Sequence, residues 1–194
     1  MFDFTPVREK QTTLSDLASG VIPSDLRELT IEMVDNQLHR ITDCTDADVI
    51  FVPDDPLADD PFAQDPEDVD LSWTLGHVIV HVTASSEEAA AIAAELARGV
   101  KYHGRSRSET IWQTVHTIEQ CRERLEESLQ MRLASLEMWP IEPNLDNYYK
   151  SRPGAAQMNA ISRFLYGLMH DDDHLEQITE IAQQARLARS QPIP

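Results

Sequence analysis

The chain has 194 residues and a mass of 22.0 kDa, enough for one domain with a sizeable core. It carries 34 Asp and Glu against 16 Lys and Arg, a formal charge of −18. Phosphate binding needs clustered cations, so this balance argues against a nucleic-acid surface and against an anionic membrane surface. The two cysteines, Cys44 and Cys121, make neither a disulfide framework nor a C-x-x-C pair. No window approaches 18 continuous apolar residues, and the opening MFDFTPVREK lacks the apolar core of a signal peptide. The expectation is a soluble, acidic, cytoplasmic globular protein.

Taken in chain order, residues 12–19 suggest a short extra helix ended by Gly20. The first long helix is predicted from Ser24, an N-cap after Pro23. Leu26, Leu29, Met33, Val34, Leu38 and Ile41 recur there at spacings of three and four. Residues 43–70 hold eleven Asp or Glu and no Lys or Arg. They read as a solvated acidic loop, and the alternative of a calcium loop lacks its D-x-D-x-D-G pattern. A second, Ala-rich helix is predicted from Ser72 to Arg98, with Gly99 as its stop. A third runs from about Arg107 to Leu136, with Ser106 and Glu109 as a capping box and Cys121 on its apolar stripe. A loop over 137–154 follows, carrying Trp139, Tyr148 and Tyr149; a loop this long is often functional or wrapped over a site. The fourth helix is predicted from Ala155 to Ala188, its stripe marked by Met158, Ile161, Leu165, Leu168, Leu175 and Ile178. No internal repeat and no convincing strand appears. Four long amphipathic helices make an all-α four-helix bundle, in which the long connections allow parallel neighbours.

Seven histidines are present, and four of them form two H-x-x-x-H pairs, His77/His81 and His170/His174. Random placement gives roughly 0.25 such pairs, so two is an excess. Residues four apart on a helix share a face, and two imidazoles there can reach one ion at about 2.0–2.1 Å each. A third ligand from a facing helix leaves positions open for water or substrate. His39, His103 and His116 have no partner at ligand spacing and read as ordinary surface or core residues. Gly167, one turn before His170, leaves room for a ligand or a close helix. Asp171, Asp173 and Gln177 are candidates to orient an imidazole, although the Asp run also reads as a solvated face. Glu88, two turns after His81, is either a general base near a metal-bound water or, more simply, a solvated side chain.

The run Ser72-Trp73-Thr74-Leu75-Gly76-His77-Val78-Ile79-Val80-His81-Val82 resembles the second-helix motif of the DinB/YfiT-like superfamily. The run Leu168-Met169-His170-Asp171-Asp172-Asp173-His174-Leu175-Glu176-Gln177-Ile178 resembles that family's H-x-x-x-H-x-x-Q-I motif on the last helix. The resemblance covers about residues 24–189. It implies an up-down-down-up four-helix bundle, with 1–23 as an N-terminal extension to a single domain. It also implies a divalent metal ion, such as zinc, nickel or iron, held by His81, His170 and His174. In the iron-binding relatives found in sulfoxide synthases for thiol-histidine biosynthesis, the second-helix ligand sits four residues after a Trp, which here is His77. The W-T-x-G-H-V-x-x-H-V pattern is more similar to the mycothiol-dependent isomerase branch, where the later His binds. His77 then stands one turn away, as a pocket residue or a fourth ligand.

Two functions follow as expectations. One is a metal-dependent transferase or isomerase that presents a low-molecular-weight thiol to an electrophilic substrate, with Arg105, Arg107 and Arg152 as candidate carboxylate contacts. The other is a non-catalytic metal-binding or stress-related interaction protein, favoured if His77 closes the site. A metal-free bundle binding a basic partner is a third. No G-x-S-x-G, catalytic-Cys context or P-loop is present. A homodimer is expected by analogy with bundles of this kind.

Overall fold

The computed structural model describes residues 2–56, 58–59, 69–104 and 110–190. Arg105, Arg107 and the expected Ser106/Glu109 cap lie outside the described residues, as do Pro61 and Pro66. The described residues form α1 (Thr5–Arg8), α2 (Leu14–Leu17), α3 (Pro23–Arg40), α4 (Asp46–Val49), α5 (Leu75–Ala97), α6 (Ile118–Glu137), α7 (Ala160–Asp173) and α8 (Leu175–Ser190). Among them the sole β feature is an isolated bridge between Tyr149 and Met158.

The helix ends follow local chemistry. α3 begins with Pro23 at its first turn, one residue before the expected start, and Asp25 accepts from the Ile22 N–H. α5 is capped by Thr74, whose Oγ1 accepts from the His77 N–H at 3.3 Å, and it stops at Gly99 with φ +80°. α6 starts eleven residues later than expected. Thr117 and Gln120 supply its capping box, while the segment before it makes a 3₁₀ turn at Trp112–Thr114 that leaves Ile111 exposed. The fourth helix starts at Ala160, where Asn159 caps it, rather than at Ala155. It is also not continuous. His174 separates α7 from α8, its N–H turning back to the Asp171 carbonyl at 3.2 Å.

Contacts fix how the helices run. Arg27 pairs with Glu137 and Arg122 donates to the Thr42 carbonyl, so α3 and α6 are antiparallel. Gly76 abuts Val115, His77 stacks on Trp112 and Glu87 pairs with Arg124, so contacts along α5 and α6 rise together. Along α5 and α7 they run in opposite senses: His81 meets His170, Ser86 meets Gly167, and Glu88 meets Arg163.

Two apolar cores occupy opposite ends of α5. One gathers Leu96 and Ala93 with Phe4, Leu26, Phe164 and Leu165; the other gathers Leu75, Val78, Ile79 and Val82 with Val34, Cys121, Leu125 and Ile178. The first includes Phe4, Leu14 and Ala18, so the N-terminal segment is part of the core. Between the two, Ser86, Asp171 and Arg132 make a buried polar lock. α5 and α7 approach closely there. A Cβ on Gly167 would lie 2.8 Å from the Ala89 Cβ, so this glycine makes room for a helix, one of its two expected uses.

The loop over 137–154 packs at the far end from the histidine pairs. The Asn144 N–H donates to the Ala97 carbonyl, and Asn147 donates to the Leu96 and Val100 carbonyls. These contacts lie about 24 Å along the helix axis from His81, so the loop caps a core rather than wrapping the site. Trp139 and Tyr149 are buried in that core, with Tyr149 against Tyr102, whereas Tyr148 is exposed. Among the described residues no helix is long and apolar enough to cross a membrane.

Candidate metal centre

His81 lies on the second turn of α5, His170 near the end of α7, and His174 at the break before α8. α5 and α7 are held together by the Gly167–Ala89 approach and by the polar lock, and that register brings His81 opposite His170. Their Nε2 atoms are 3.0 Å apart. Among the described residues, His81, His170 and His174 form a group whose ligand atoms all lie within 4.8 Å of one another. The ring centroids are 4.8, 5.1 and 4.8 Å apart, and each residue is half-buried.

The donor set fits a divalent ion. With ligand distances of about 2.0–2.1 Å, neighbouring donors on one ion sit about 2.9–3.4 Å apart, which brackets the His81–His170 separation. The Nδ1 of His174 is 2.7 Å from the Gln177 Oε1. A carbonyl oxygen only accepts, so Nδ1 carries the proton and Nε2 presents its lone pair to the group. Gln177 is therefore the orienting residue among the candidates.

The aspartates between the two histidines do something else. Asp171 is fully buried, 2.6 Å from an Arg132 Nη1 and 2.6 Å from the Ser86 hydroxyl. Burial pushes its carboxyl above the ordinary carboxylate range, opposed by the Arg132 guanidinium and the Ser86 hydrogen bond. Asp172 and Asp173 both pair with Arg8 from the N-terminal segment. None of the three hydrogen-bonds an imidazole, and only Asp173 is substantially exposed. Glu88 is neither a general base at the site nor a solvated side chain. It is buried, pointing to Arg163 at 4.0 Å.

His77 takes a different place from the three. It is sandwiched between Trp73, at 4.4 Å, and Trp112, at 4.5 Å and nearly parallel at 5°. Trp73 also touches the group, 4.6 Å from His81 and 6.0 Å from His174. The approach of Val115 to Gly76, where a Cβ would meet the Val115 carbonyl at 3.0 Å, lays Trp112 over His77. Sequence reasoning used Trp73 as a motif marker and gave Trp112 no role; the aromatic wall they form depends on a chain turn with no motif of its own. His39, His103 and His116 are at the surface, His103 beside Glu95 at 3.1 Å. Arg152 is exposed. Cys121 is fully buried, and that burial pushes its thiol up to about 12.

The fold and the cluster together define an all-helical protein with a three-histidine group that could hold a metal ion. The sequence model of the DinB superfamily matches residues 24–178. The chain belongs to the DinB superfamily. No curated protein and no solved structure matches the chain significantly.

Proposed function

We propose that the protein binds one divalent ion, zinc, nickel or iron, through the Nε2 atoms of His81, His170 and His174. The convergence of these three imidazoles from α5, α7 and the α7–α8 break carries this reading. Three protein ligands leave positions open for an exogenous ligand, as in catalytic rather than structural zinc sites. A bound ion would supply Lewis acidity that holds a low-molecular-weight thiol as thiolate for transfer to an electrophile. The chain's own residues set up this site. Gln177 fixes the His174 tautomer, and Trp73 and Trp112 wall one side with His77 between them. The stacked position of His77 supports an open, enzyme-like site over a closed four-histidine site. The same reading takes the chain as one cytoplasmic DinB-like domain, with the up-down-down-up connectivity that the rising contacts of α5 and α6 support. It includes a homodimer by analogy.

The test is Co(II) absorption spectroscopy with untagged protein. Saturation near one equivalent, followed by growth of a sulfur-to-metal charge-transfer band on adding a small thiol, is expected. Binding without any response to a panel of thiols would leave a metal-binding protein and remove the transferase reading.

A further inference from the structure

The N-terminal segment lies outside the residues 24–178 that match the family, yet it reaches the histidine site. Phe4 is 2% exposed and lines one small void with Phe2, Met33 and Leu168, two residues before His170. Ser15, on α2, donates to the Gln157 carbonyl at 2.5 Å, fastening α2 beside the start of α7. Between these two anchors, Arg8 extends to the other end of α7. Its Nε is 2.8 Å from Asp173, and an Nη2 is 2.5 Å from Asp172. Those carboxylates immediately precede His174, where the helix is broken.

We infer that residues 2–18 form a strap that orders the helix break carrying His174, with Arg8 as a positioning residue for the three-histidine group. The metal part of this inference rests on the reading proposed above. At a helix break the intrahelical ladder is incomplete, so side-chain ties decide how well the residue there is fixed. Asp171 is tied inward, to Ser86 on α5 and Arg132 on α6. Asp172 and Asp173 are tied outward, to Arg8. The inner tie is buried and sets the register of α5 against α7. The outer tie is partly exposed and adds little global stability by itself. Its effect is local, because one guanidinium holds two consecutive carboxylates in fork geometry, and its backbone is anchored by a buried Phe.

The experiment compares wild type, Arg8→Ala, Arg8→Lys and Arg27→Ala, the last removing an exposed ion pair, with Glu137, outside this region. Amide hydrogen exchange is read on metal-free protein, and Co(II) affinity is read separately. Arg8→Ala is expected to speed exchange of amides 174–178 about 10-fold while the α6 amides stay unchanged. It is also expected to weaken Co(II) binding about 10-fold, as loss of an outer support does. Arg8→Lys keeps a point charge but loses the fork, and falls between. Exchange in Arg8→Ala that matches Arg27→Ala overturns the strap. Faster exchange with unchanged cobalt affinity overturns the positioning role. A wild type that takes no cobalt sinks the metal reading alone, and the exchange arm still decides the strap.

Discussion

His77/His81 and His170/His174 have the same spacing in the sequence and different fates in the fold. Both members of the second pair join the three-histidine group, whereas the first pair divides, His81 entering the group and His77 lodging between two indoles. The i, i+4 relation guarantees a shared face and nothing more. What lies opposite that face decides the chemistry. His81 is two turns into α5 and faces α7, held close by Gly167. His77 is one turn nearer the helix start, where the chain before α6 folds over it and brings Trp112. The second pair stays together although the helix is broken at its second member. The aspartates between them are tied from both sides.

The sharpest way to break this contrast is to remove each histidine of the first pair in turn. His81→Ala is expected to lower Co(II) affinity by about 100-fold or more, because two imidazoles remain where three converged. The inner tie comes next. Asp171→Asn leaves the buried Arg132 charge without its counter-ion, an expected loss of about 3–5 kcal/mol in urea unfolding. Replacing Arg132 by Met in the same chain should recover part of that loss, since the unpaired charge is gone. Gly167→Ala sets a methyl 2.8 Å from the Ala89 Cβ. Overpacking of that kind costs about 1–3 kcal/mol. If it pushes α5 from α7, it also separates His81 from His170, so metal affinity should fall along with stability. His77→Ala, in contrast, should change Co(II) affinity less than about threefold, since its ring packs on indoles outside the ligand group. A loss as large as that of His81→Ala would move the third ligand to His77. The smallest effect is at Cys121, whose thiol is pushed up to about 12. A raised thiol pKa favours the neutral form in the folded state, so this stability is present at pH 7 and drains away as pH climbs above 9. Alkylation at pH 8 should therefore spare Cys121 until urea unfolds the chain.

The all-helical fold was legible because periodicity, caps and breakers agreed over α3 and α5, where Pro23 and Gly99 mark the ends. The start of α6 was not. The expected Ser106/Glu109 cap lies outside the described residues, and Thr117/Gln120 caps α6 where the 112–115 turn packs against Gly76, a tertiary contact with no sequence motif of its own. The break at His174 was also hidden, since no Pro or Gly occupies it and the apolar stripe continues from Leu168 to Leu175 and Ile178. The three histidines that converge are those read from the two motifs, together with Gln177 as the orienting residue. The surrounding charges were less readable. Asp171, Asp172, Asp173 and Glu88 look alike in a sequence, and their roles follow from Arg132, Arg8 and Arg163, which lie 39 to 165 residues away in the chain and meet them only through the fold. Of these, Arg8 was the least accessible, belonging to a segment that reads as an extension and packs as core.

Whether His81, His170 and His174 hold one ion is decided by elemental analysis of untagged protein beside a His170→Ala/His174→Ala variant. About one metal per chain in the parent and little in the variant is the predicted result. A parent that stays metal-free after exposure to zinc, nickel and iron salts, or a variant that keeps its metal, would contradict it.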